Sequence, residues 1–136
     1  MDVLESSGWW AQAQEMRKVA DLARGANLYS SACFHYQQAA EMALKAGHEL
    51  YNSERPGHDL ADLLSALDAV RKSTAPRDVL DAAIELSSLY SATRYPDLHR
   101  GVAPAMIYKE PDAAAAGRRA DTIMDFVRSL LGERKP

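Results

Sequence analysis

Between residues 94 and 100 the chain reads Arg94-Tyr95-Pro96-Asp97-Leu98-His99-Arg100, which places two permanent cations, a carboxylate and an imidazole within seven residues. These are the groups that phosphoryl chemistry uses. Arginine offers a planar fork of donors to phosphate oxygens, and histidine changes protonation near neutral pH and so can move a proton. The same spacing also allows a structural reading. Cations at the C-terminal end of a helix complement its dipole and satisfy free carbonyls. Two further polar groups draw notice. Glu41 and Lys45 stand four apart, either as a surface ion pair worth about 0.3–0.5 kcal/mol or as groups turned into the fold to order Arg94 or a nucleobase. His58 directly follows Gly57 and is expected in the first turn of a helix, where an imidazole satisfies backbone groups.

Other chemistries find little footing. His35, His48, His58 and His99 form no HExxH pair, and Cys33 with His35 makes an i, i+2 pair that a helix points in different directions. No metal site and no cofactor are therefore expected. The seven glycines form no phosphate-cradling motif, and Cys33, within an apolar face, reads as core rather than nucleophile. A lone cysteine cannot close an intrachain disulfide, so a reducing cytoplasm is the expected location. No apolar run reaches the roughly 20 residues that cross a bilayer, and MDVLESSGWW lacks the order of a signal peptide. No membrane partner is expected. The net charge of -3 is unevenly spread: residues 1–93 carry 8 basic and 13 acidic groups, residues 94–136 carry 8 and 6. An anionic partner is directed to the C-terminal third.

The elements that must position these groups all read with a helical period. The fold class is all-α: an up-and-down four-helix bundle with an additional short helix, five helices in one domain of 136 residues. A helix over 8–24 carries Trp10, Ala13, Ala20 and Ala23 on one stripe, and Asn27 is expected to cap the next. That second helix, over 28–51, is expected to be the longest and most central. It sets Tyr29, Ala32, Cys33, Tyr36, Ala40, Ala43 and Leu44 on one face, with Glu41 and Lys45 outside it. A loop over 52–57 leads to a short helix with Leu60, Leu63, Leu64 and Leu67. The run Ser73-Thr74-Ala75-Pro76 predicts a capped fourth helix that continues to Arg94, where Pro96 disfavours helical geometry at Tyr95. An irregular connection then precedes a helix that opens at Asp112, with a frayed tail over 133–136.

Taken together the motifs resemble the HEPN domain, a family of small helical bundles. The resemblance spans nearly the whole chain. It rests on Trp10, Ala20-Asp21-Leu22, Tyr29-x3-Cys33-Phe34-x3-Gln38-Ala39-Ala40-Glu41-x3-Lys45-Ala46, His58-Asp59-Leu60-x2-Leu63-Leu64, Tyr90-x3-Arg94-Tyr95-Pro96-Asp97 and Tyr108. Many members are metal-independent endoribonucleases whose signature is Arg, four to six residues, then His. Arg94 and His99 satisfy it with four between. The resemblance implies a homodimer that brings two copies of Arg94 and His99 into one cleft, with Glu41, Lys45, His58, Tyr95, Asp97 and Arg100 as binding residues. In the toxin branch a tyrosine two residues after the histidine is modified by a partner nucleotidyltransferase; that position is Gly101 here. The functions the resemblance implies are RNA cleavage in a toxin–antitoxin or defence setting or, alternatively, a non-catalytic module that binds a nucleotide or partners a minimal nucleotidyltransferase.

Overall fold

The computed structural model describes residues 4, 5 and 7–134. Helix α1 covers Gly8–Gly25, α2 Tyr29–Leu50, α3 Leu60–Arg71, α4 Arg77–Ser87, α5 Leu89–Ala92, α6 Pro104–Ile107 and α7 Glu110–Arg134. A single 3₁₀ turn, Pro96–His99, stands between α5 and α6. No strand occurs among the described residues, and none of their helices is long and apolar enough to cross a membrane.

The stripes found in the sequence close on one another. Helix α2 lies against α1, α3 and α7, while α4 bridges α3 and α7. Trp10, Ala13 and Ala20 from α1 meet the small residues of α2, and Leu60, Leu63, Leu64 and Leu67 fill the space beneath α3. Alanines along α2 let its neighbours approach closely. A Cβ at Gly117 of α7 would stand 3.2 Å from the Tyr36 ring, and one at Gly47 would stand 3.0 Å from Leu67 Cδ2.

The termini and joints differ from expectation for local reasons. Asn27 does not cap α2. It takes a left-handed φ of 63° that turns the chain out of α1, and its Oδ1 accepts from the Tyr29 hydroxyl at 2.8 Å. Pro76 precedes α4 without a side-chain cap, so the Ser73–Thr74 hydroxyls do not serve that end. The last helix starts at Glu110 instead of Asp112, because Pro111 fits a first turn and Asp112 Oδ2 reaches back to accept from the Lys109 N–H at 2.8 Å. It is therefore α7, with 25 residues, and not α2, with 22, that is longest. It continues to Arg134, through part of the expected frayed tail; Lys135 and Pro136 lie outside the described residues.

The expected fourth helix is broken. Ser88 Oγ donates to Glu85 O at the break, and where α5 ends Thr93 Oγ1 donates to Leu89 O and Arg94 Nε to Tyr90 O, so at both points side chains compete for carbonyls of the helical ladder. Two backbone bonds of the stretch, Ala92 N–H to Ser88 O and Thr93 N–H to Leu89 O, lengthen to 3.4 Å. A serine pair at residues 87 and 88 marks the bend. The connection after it is less irregular than expected. It holds the 3₁₀ turn and α6, joined where Arg100 and Gly101 both take positive φ, 55° and 84°.

Candidate active site

The site is assembled where the start of α3 meets the end of α4. Asp59, not His58, caps α3: its Oδ1 accepts from the Asp62 N–H at 3.2 Å and from the Ser87 hydroxyl at 3.1 Å, while Ser87 Oγ accepts from the Leu60 N–H at 3.0 Å. His58 thus sits one residue outside the helix. Its backbone carbonyl accepts from Gln37 Nε2 at 3.3 Å, which ties it to α2.

So held, His58 turns its ring to Glu41. Nδ1 lies 2.9 Å from Glu41 Oε1, and an ionised carboxylate can only accept, so Nδ1 carries a hydrogen and, in the neutral imidazole, the lone pair falls on Nε2. Glu41 is 3% exposed and is no surface group. Its Oε2 accepts from Lys45 Nζ at 3.2 Å and its Oε1 from Gln38 Nε2 at 3.4 Å. Such a buried carboxylate requires these partners. Lys45 lies in turn over the Trp9 ring, 5.2 Å from its centre, and with Arg55 the two line a cavity of about 470 Å³.

The other face of His58 continues the array. Its ring stacks on Tyr90 with centres 4.0 Å apart and planes 12° from parallel. Since a stacked imidazole fills the face it lies on, the Arg94 guanidinium, 4.2 Å from the same ring centre, takes the opposite face. Phe34 and Tyr95 also approach that guanidinium, each with its centre 4.9 Å away. In the sequence Tyr90 and Phe34 read only as packing or family positions. The signal for a site was the four-residue step from Tyr90 to Arg94, which places ring and cation on one helical face.

Arg94 and His99 converge on one helix end. Arg94 Nε donates to Tyr90 O at 2.8 Å, and His99 Nε2 donates to Ala92 O at 2.5 Å, which leaves the His99 lone pair on Nδ1. Tyr108 meets His99 edge-on at 6.2 Å. Both side chains occupy carbonyls at the negative end of α5, as the structural reading anticipated, yet each keeps further nitrogen atoms for a ligand. Tyr95 touches the site through Arg94, whereas Asp97 and Arg100 lie exposed on the 3₁₀ turn. Among the described residues no three His, Cys, Asp or Glu side chains gather as a metal cluster.

Residues 6–130 match the profile of the HEPN domain. The chain belongs to the HEPN family. Solved structures agree with that assignment. Protein TT1696 from Thermus thermophilus superposes with a TM-score of 0.86 at 35% identity, covering 95% of this chain and 98% of that one. ST0689, described as an archaeal HEPN homologue, gives a TM-score of 0.77 at 30% identity over 96% of this chain and 98% of its own. A HEPN domain protein of Thermotoga maritima, at 24% identity and a TM-score of 0.74 over 93% and 98%, shares the fold. No curated protein matches the chain. In this HEPN domain the Arg-x4-His pair falls at the broken end of α5, beside the Glu41–His58–Tyr90 array.

Proposed function

We propose that this HEPN domain is a metal-independent endoribonuclease that works as a homodimer, in a toxin–antitoxin or defence setting. The observation that carries the reading is the convergence of Arg94 and His99 on carbonyls two residues apart, Tyr90 O and Ala92 O, which directs a permanent cation and a proton carrier to one place. Cleavage through the RNA 2′-hydroxyl needs a base for that hydroxyl, an acid for the leaving oxygen and positive charge at the phosphorane. Arg94 supplies the charge and His99 Nδ1 a proton-transfer nitrogen. A two-fold dimer doubles both in one cleft.

The test is cleavage of unstructured RNA in EDTA. Removing the His99 imidazole in His99→Ala is expected to slow cutting by about 10²–10⁴-fold, and Arg94→Ala to weaken it as well, with circular dichroism checking the fold beside activity. Arg77→Ala, whose side chain is exposed on α4, serves as control. Equal cutting by His99→Ala removes the catalytic assignment.

The alternative reading, a nucleotide-binding module, is supported by the cavity of about 470 Å³, where the Trp9 ring, Lys45 and Arg55 offer a stacking face and two cations. A wild type that cuts nothing but binds a nucleotide there, measured by calorimetry, favours it.

A further inference from the structure

Among the other features of the molecule, the α1–α7 groove has its Arg17 and Asp121 engaged with each other as an ion pair, and His48 spends both ring nitrogens on Ser53 Oγ and Leu63 O. His58 differs. Its side chain is half exposed, one nitrogen is oriented by a buried carboxylate, and the ring borders an open cleft of about 320 Å³ rimmed by Ser87, Ser88 and Ser91. A rotamer fixed by stacking on Tyr90 and by a 2.9 Å bond to Glu41 is a preorganised imidazole. Carboxylate, imidazole and open Nε2 make the arrangement of a general base.

We propose that His58, held by Glu41, is the general base of the RNA cleavage proposed above, with His99 as the acid. The inference rests on that ribonuclease reading and names the group that takes the first proton. His58 and Arg94 lie on opposite faces of one ring, at 4.0 and 4.2 Å from its centre. The two therefore flank the Tyr90 ring, and the RNA reaches both by passing over the ring's edge, its 2′-hydroxyl on the His58 side and its phosphate on the Arg94 side. Nε2 takes the 2′-hydroxyl proton as O2′ forms its bond to phosphorus. The P–O5′ bond then breaks, and O5′ takes a proton from the His99 imidazolium. The products are a 2′,3′-cyclic phosphate and a 5′-hydroxyl; His58 then gives its proton to solvent and His99 takes one back.

The charged groups around His58 fit this role. Glu41 on α2 faces the ring on which positive charge develops, with Lys45 behind it on the far carboxylate oxygen. Asp59 is engaged as the cap of α3, and Arg94 is separated by the Tyr90 ring. Glu41 is a positioning residue and does not touch RNA.

The experiment measures cleavage of the same RNA in EDTA by wild type, His99→Ala, His58→Ala and Glu41→Gln, with and without added imidazole. The expected result for His58→Ala is a kcat lower by about 10²–10⁴-fold with KM retained, partly restored by imidazole entering the vacated cleft. Glu41→Gln keeps the acceptor for Nδ1 but removes the charge, so kcat should fall while KM holds. Thermal unfolding of each variant separates chemistry from folding. Cutting by His58→Ala at the wild-type rate, with His99→Ala dead, overturns this assignment and leaves the ribonuclease reading standing. A loss that imidazole does not relieve gives His58 a structural part and overturns it too. If wild type cuts no RNA, both fall.

Discussion

Cys33 is fully buried in the α2 face, and burial, assisted by the nearby Asp112 charge, pushes its thiol up to about 12. The Tyr36 hydroxyl is also pushed up to about 12, by burial and by its bond to Asp21, against the opposing pull of Arg24. For an acid whose folded value is raised, both states hold the proton at neutral pH. As pH rises past the free thiol's value of about 8.5, the unfolded chain ionises and the folded one does not. Stability therefore falls between that point and about 12. The cysteine alone should cost about 2 kcal/mol at pH 10, and urea midpoints at pH 7 and 10 should separate wild type from Cys33→Ala by a difference of that order. Native Cys33 should also label slowly with a thiol reagent at neutral pH, and fast labelling would place α2 in another register. Its burial was legible from spacing with Tyr29 and Tyr36. Glu41 was not. Its four-residue step to Lys45 was visible, but the imidazole that explains its burial arrives 17 residues later from a loop, by a tertiary path that periodicity does not report.

The helical stripes were readable because buried alanines and leucines recur at three and four residues along α1, α2, α3 and α7. What escaped the pattern was local competition for carbonyls. Ser88, Thr93 and Arg94 all belong to a continuous helical period, yet the Ser88 side chain marks the division into α4 and α5, and those of Thr93 and Arg94 compete for carbonyls where α5 ends. The early end of α5 leaves free the carbonyls at which Arg94 and His99 meet. The junction between α3 and α4 carries a prediction of its own. Asp59 caps α3 and receives the Ser87 hydroxyl, so it holds His58 in place from both sides. Asp59→Ala should cost about 1–2 kcal/mol in urea unfolding and should lower any RNA cleavage more than Asp59→Asn, which retains a capping oxygen. Equal stability of the alanine and asparagine variants would remove the cap from this account.

Positive charge and exposed apolar side chains both gather in the C-terminal third of the sequence. The stretch from residue 94 onward holds a net positive share of the sequence, and the segment between α5 and α7 exposes Tyr95, Leu98, Val102, Met106 and Ile107. Leu98 at 58% and Met106 at 70% exposure contribute little to the core of one protomer, so their apolar surface is available to a second copy. A two-fold contact along this segment would set two copies of Arg94 and His99 side by side, because both flank the helix from which it departs. The chain is accordingly expected to sediment as a dimer at micromolar concentration. The double variant Leu98→Asp/Met106→Asp should sediment as a monomer with an unchanged helical spectrum, since neither side chain supports the protomer, and its thermal midpoint should lose the dependence on protein concentration that dimerisation gives the wild type. Its RNA cleavage should fall with dimerisation and recover as protein concentration rises. A wild type that is monomeric under these conditions would make the composite site untenable, whereas a double variant that stays dimeric would move the interface elsewhere and detach the Arg94 and His99 pair from it.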